Sequence, residues 1–321
     1  MAEQQVDSST PPPAKKKRHG CLKGCLFGCL GLFLLVAVLF VVGLANNDDW
    51  HSDAYILKKY PPTAEIAEIA LKNTFTDKGK SMLYRTKPQF VLGEEFRKIC
   101  VSDGVEGLAC TDGRKTTFLQ IDDPEFDDHK FSAAAHEMMH VAYKILKTDD
   151  QARVDAMLEQ ELKKHQDDTH LTGILDILKE KKVGDADTVK SELHSKFAVE
   201  YIDLSPELEE YYRRYFTDRQ QAVKLYRNGG FNSRVRRLDQ LSQENVALEA
   251  KINVLDKKLR TLRNAPDLDV DSFNAQVNQI NGLIKQYNAK VAESQKVYAE
   301  VERFYRYFNP DFKAPEPKAE Q

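Results

Sequence analysis

At 321 residues the chain is long enough for one or two globular domains, and with 41% hydrophobic and 30% charged residues it is neither a disordered chain nor a multispan membrane protein. A net charge of −3 argues against nucleic acid as the partner, and five cysteines are too few for a disulfide scaffold. The average conceals a split: residues 1–47 carry five basic residues against Glu3 and Asp7, so they are net +3 and the remainder is net −6.

Residues 1–20 hold Ser8-Ser9-Thr10-Pro11-Pro12-Pro13 and the cluster Lys15-Lys16-Lys17-Arg18, and are expected to be a disordered cytoplasmic tail touching anionic lipid. From Cys21 to Ala45 the chain is apolar apart from Lys23. The 22 uncharged residues from Gly24 to Ala45 suffice, as a helix, for a hydrocarbon core of roughly 30 Å. Basic residues precede this run, and Asp48, Asp49 and Asp53 follow it. The expected topology is therefore a single transmembrane helix over 21–45, cytoplasmic N-terminus, and everything after it outside the cell membrane. Gly43-Leu44-Ala45 also reads as a signal-peptide cleavage site, although the apolar run is long for one. Cys21, Cys25 and Cys29 share one face of this helix, either as small packing residues or as S-acylation sites.

Residues 46–228 mix apolar and polar patterns, hold most of the histidines, and are enough for one compact domain. Cys100 and Cys110 bracket a short loop and are expected to pair outside the cytoplasm, the alternative being two buried thiols. Asp112-Gly113 signals a turn ahead of a strand-like run, Thr116 to Ile121.

The segment Ala133 to Ala142 contains His136-Glu137-Met138-Met139-His140, a His-Glu-x-x-His motif. On a helix the two histidines project from one face and can bind one Zn²⁺, while the Glu137 carboxylate can take a proton from a metal-bound water. The competing reading is a satisfied histidine pair on an ordinary amphipathic helix. A catalytic zinc needs a third protein ligand and an open fourth position. Three candidates lie downstream: Glu200, His194 and the pair His165/His170. Glu200 shares a helical face with Leu193 and Phe197, so a buried approach is reasonable, whereas His165 and His170 sit among charges that read as a solvated loop. Asp203 is a candidate to orient a ligating imidazole, and one of His194, Tyr211, Tyr212 and Tyr215 to donate to a developing oxyanion.

Residues 229–309 read differently. Leu241, Asn245, Leu248, Ile252, Leu255, Leu259 and Leu262 follow a 4-3 spacing, and Phe273, Val277, Ile280, Ile284, Tyr287, Val291, Ser294, Tyr298, Val301, Tyr305 and Phe308 keep the same rhythm. With the breaker-rich Asn264 to Asp269 between them, they predict two long helices in an antiparallel coiled-coil hairpin. Gly229-Gly230 is a plausible hinge before it, and Asn245 and Ser294 are candidates to fix its register. Residues 310–321 are expected to be a disordered tail. The predicted fold class is thus α+β and mostly helical: one membrane helix, a small catalytic domain with a short sheet, and the hairpin.

The His-Glu-x-x-His segment resembles the zincin metallopeptidases. More widely, residues about 55–226 are similar to a group of bacterial membrane-anchored proteins. The shared features are the cysteine-bracketed stretch from Phe96 to Cys110, Ala134 to His140, Glu192-Leu193-His194-Ser195, Glu200, and Tyr211-Tyr212-Arg213-Arg214-Tyr215-Phe216. The chain departs from the group in having Val199 before Glu200 and Ala109 before Cys110. The metzincin branch is excluded, because Leu146 stands where its third histidine would fall. In the gluzincin branch a glutamate from a second helix completes the site. The resemblance therefore implies that His136, His140 and Glu200 hold Zn²⁺, with Glu200 on a helix over 189–203 and His194 the alternative. It also implies that the strand from Thr116 edges the cleft and pairs with an extended peptide. The expected function is a membrane-anchored, gluzincin-like zinc endopeptidase. The rival is a non-catalytic envelope protein built on the hairpin.

Overall fold

The computed structural model describes residues 51–100, 107–180, 186–267, 269–309 and 312. The expected cytoplasmic tail, membrane span and its three cysteines, and nearly all of the expected C-terminal tail lie outside these residues. Among the described residues no helix is long and apolar enough to cross a membrane.

Three short helices open the fold: α1 (Asp53–Lys59), α2 (Ala64–Lys72) and α3 (Asp77–Tyr84). Each starts where a hydroxyl can cap it, Ser52, Thr63 and Thr76 accepting from the amides of Tyr55, Ile66 and Gly79. Gly79 is required by packing, since a Cβ there would lie 2.4 Å from the Tyr215 carbonyl oxygen.

Next come β1 (Gln89–Val91), α4 (Gly93–Cys100), β2 (Ala109–Thr111) and β3 (Thr116–Leu119). They form a three-stranded mixed sheet in the order β1-β3-β2, with β1 parallel and β2 antiparallel to β3. The run from Thr116 is therefore the central strand and not the edge. All four of its residues are buried, and the Thr116 hydroxyl is satisfied by Thr86 Oγ1 at 2.8 Å. The edges are β1 and β2, and the Cys100–Cys110 disulfide ties β2 back to the end of α4.

Helix α5 (His129–Lys144) runs through the middle of the domain, with Ala134, Ala135, Met138, Met139 and Ala142 fully buried. A helix apolar on most of its circumference belongs in the interior. Around it stand α6 (Thr148–Lys164), α7 (Thr169–Glu180), α8 (Ala186–Val199), α9 (Pro206–Tyr212) and α10 (Arg219–Asn228). Helix α8 makes the most extensive contact with α5 and carries much of the site.

Two long helices follow, α11 (Gly230–Arg263) and α12 (Val270–Phe308), about 51 and 58 Å in length. They run antiparallel, as shown by the cross pairs Arg234–Glu300, Arg237–Glu293 and Glu244–Lys290. These ion pairs hold the register. Asn245 Oδ1 has no hydrogen-bond partner among the described residues, and the Ser294 hydroxyl bonds back to Lys290 of its own helix. Along α12 the expected Tyr287, Val291, Ser294 and Val301 do turn inward, but at three positions the preceding residue replaces or surpasses the expected one. Leu283, Val297 and Phe304 turn inward, whereas Ile284 and Tyr298 are exposed. Each inward residue has an apolar neighbour only about 100° away around the helix, so periodicity alone cannot separate them.

The hairpin is rooted in the domain. Phe304 is fully buried in a second small core with Phe96, Leu119, Ile121 and Phe126, and stacks on Phe231 with ring centroids 4.0 Å apart. A Cβ on Gly230 would lie 1.8 Å from the Glu125 carbonyl oxygen, and the Gly230 amide donates to the Asp128 carboxylate at 2.9 and 3.0 Å. The glycine expected to be a hinge is thus a site of close backbone approach.

Candidate metal centre

Helix α5 places His136 and His140 one turn apart, on the side where it faces α8 and β2. Their Nε2 atoms converge to 3.0 Å. The ligand-type atoms of His136, Glu137 and His140 all lie within 4.8 Å of one another, the cluster expected of a His-Glu-x-x-His helix.

The carboxylate that meets both imidazoles is that of Glu192. Its Oε2 lies 3.6 Å from His136 Nε2 and 3.4 Å from His140 Nε2. Four ligands held tetrahedrally at the usual zinc bond lengths stand about 3.3 Å apart, so the triangle of 3.0, 3.4 and 3.6 Å fits three corners around one small ion. Ser191 accepts or donates at His140 Nδ1 over 2.8 Å; with the proton on Nδ1, the Nε2 lone pair is left free to ligate. Ser195 Oγ lies 3.3 Å from His136 Nε2. Residues 191, 192 and 195 therefore form the face of α8 abreast of the histidines. Asp203, expected in the orienting role that Ser191 fills, is exposed.

Glu200 lies two helical turns, about 12 Å, further along than Glu192. It accepts from Lys196 Nζ at 2.9 Å and from the Tyr226 hydroxyl. It lines the same cleft, its carboxylate held by these two partners. Helical-face reasoning put Glu200 beside buried neighbours, and the structure has it nearly buried near Leu193 and Phe197.

His194 projects from another face of α8 and is buried. Its Nδ1 donates to the Met139 carbonyl at 3.1 Å and its Nε2 accepts from the Tyr211 hydroxyl at 2.9 Å, so neither nitrogen is left for a metal. Burial and the neighbouring His140 push it down to about 3, and it is neutral. Tyr211, Tyr212 and Tyr215 pack as core aromatics around it rather than facing the cleft.

The charges in the cleft are strongly coupled. Burial opposes ionisation of Glu192, yet the two imidazoles hold its carboxyl well below the usual range. Burial likewise opposes a charged His136, but the Glu192 carboxylate raises it above its ordinary value. Glu137 is pushed up by burial, against the pull of both histidines. Lys196, missed as a site residue in the sequence, is buried beside Glu192 and Glu200, whose charges raise it despite burial. Its signal was present in the spacing, since Glu192, Lys196 and Glu200 recur every fourth residue.

The cleft has a volume of about 950 Å³. The disulfide and β2 form one wall, α5 and α8 the floor, and Tyr226, Phe231 and Asn232 at the hairpin's base another side. Set against protein families, curated proteins and solved structures, the chain matches none. The zincin resemblance accordingly stands on the His136–Glu137–His140 cluster and its surroundings.

Proposed function

We propose that the cleft binds one Zn²⁺ through His136, His140 and Glu192, and that the protein is a zinc-dependent peptidase. The observation that carries this reading is the triangle of donor atoms, two imidazole nitrogens and one carboxylate oxygen at tetrahedral spacing, at the floor of an open cleft. Glu192 replaces Glu200 as third ligand on that geometry. Two imidazoles and one carboxylate suit zinc and leave a fourth position toward the cleft. Zinc bound there would supply Lewis acidity and an acidified water. Glu137, raised by burial, takes the water proton and delivers it to the leaving amine. The outer edge of β2 takes the role expected of the strand from Thr116: no strand pairs with it there among the described residues, so an extended peptide can add to it. The disulfide favours an oxidising compartment, and with the charge asymmetry of residues 1–53 it supports a membrane-anchored protein whose cleft lies outside the cytoplasm.

A second reading has its own support. Val246, Val254, Ile284 and Tyr298 are exposed on the hairpin. Such residues suit an interaction protein of the cell envelope in which the zinc is structural or vestigial. One experiment separates the two: zinc stoichiometry by elemental analysis, together with chelator-sensitive cleavage of a denatured protein substrate, in the wild type and in Glu137→Gln. The peptidase reading expects about one zinc per chain in both proteins and cleavage only in the wild type. Zinc loss that unfolds the protein, with no cleavage before it, favours the second reading.

A further inference from the structure

Lys196 has no part in holding the metal, yet its ammonium is nearly buried and lines the cleft. A lysine carries three donors and cannot accept. One of Lys196 goes to Glu200 at 2.9 Å and a second, longer one points to Glu192 Oε1 at 3.7 Å, which leaves the third without a partner among the described residues. Donor capacity is therefore left over in a nearly dry position. The two oxygens of Glu192 divide the space: Oε2 faces the imidazoles and Oε1 faces Lys196. One carboxylate thus links the ammonium to the donor triangle. Glu200, braced in turn by the Tyr226 hydroxyl from α10, fixes the lysine there and offsets its charge. The groups the sequence suggested for an oxyanion, His194 and the three tyrosines, are committed to the core.

We propose that Lys196 is the catalytic anion-binding residue of this cleft, donating a hydrogen bond to the carbonyl oxygen of the bond under attack. As water oxygen bonds to the carbonyl carbon, the C=O π pair moves onto the oxygen, and the surplus N–H of Lys196 stabilises that charge without giving up its proton. A preplaced cation in a water-poor site is the arrangement in which such stabilisation is strongest. The inference rests on the metal-site reading and adds a substrate-facing residue to it.

The test uses the full-length chain loaded with Co²⁺ in place of zinc, inorganic phosphate as a tetrahedral anionic probe, and the visible cobalt bands as the readout. Phosphate affinity should fall about 10–100-fold in Lys196→Met and stay close to wild type in Lys196→Arg. Lys196→Met leaves Glu200 buried and unpaired, which alone could repel phosphate or unsettle the fold. The double variant Lys196→Met/Glu200→Gln removes both charges together, and it should bind phosphate as weakly as the single variant while taking up cobalt normally. Wild-type affinity in Lys196→Met, or its return in the double variant, would overturn the role of Lys196 and leave the metal site standing. Failure of the wild type to take up cobalt, or unaltered uptake in His140→Ala, would overturn the site itself and the inference with it.

Discussion

Two imidazole nitrogens and a carboxylate oxygen brought within 3.0–3.6 Å of each other are costly neighbours without a cation between them, because lone pairs face lone pairs unless protons fill the gap. The pull of Glu192 on His136 expresses the same demand in charge terms. A divalent ion satisfies all three at once. Glu192→Gln is therefore expected to weaken zinc binding by more than about 100-fold, measured by competition with a chromophoric chelator, since it removes a ligand charge. Glu200→Gln should shift it by less than about 10-fold, because it alters only a neighbour of Lys196; equal losses in the two variants would return Glu200 to the ligand set. At this scale the sequence was readable where spacing on one helix decided the matter, as for His136, Glu137 and His140. It was not readable where two helices had to be placed side by side. Glu192 and Glu200 both follow the motif at reachable distance, and spacing alone does not say that Glu192 is the one that comes to 3.4 and 3.6 Å from the imidazoles.

The elements that carry these residues are fixed by a few buried polar contacts. Arg219, at the start of α10, is almost fully buried and donates to the carbonyls of Phe197 and Ala198 in the last turn of α8 and of Tyr201 and Ile202 just beyond it, while pairing with Glu209 at 2.7 Å. It closes the C-terminus of the helix that bears Glu192, taking up carbonyls that would otherwise be orphaned. Arg219→Met should destabilise the protein by about 3–5 kcal/mol in urea unfolding. Arg219→Lys should recover little of it, because an ammonium cannot span four carbonyls. A change below about 1 kcal/mol would show that water replaces these contacts. Element types were largely legible: the interior helix α5, the short sheet and the two long C-terminal helices follow from patterning. Strand order was not. Thr116 to Leu119 alternates no polar face outward, which suits a central strand, but hydroxyl-rich Thr116-Thr117 read equally well as an edge until Thr86 supplied a partner. The three exchanged positions of α12 have the same origin, in paired apolar residues that both satisfy the repeat.

On the scale of the whole molecule, the hairpin and the domain share a core. Phe304 stacks on Phe231, meets Phe126 edge-on at 5.1 Å, and is flanked by the pair Arg303–Glu125. Phe304→Ala should cost about 3–5 kcal/mol and lower the unfolding midpoint of the domain around α5, not only of the hairpin. Loss of hairpin helicity by circular dichroism at a temperature where the remainder keeps its near-ultraviolet signal would contradict that shared core. The anchoring also bears on how the chain is made. Glu125 and Arg303 are 178 residues apart, so the aromatic floor around Phe126 has no cover until almost the last helix has left the ribosome. During that interval the nascent polypeptide presents a sticky patch next to the helix that carries His136 and His140, and a chain with that patch uncovered is a natural client for a holding chaperone.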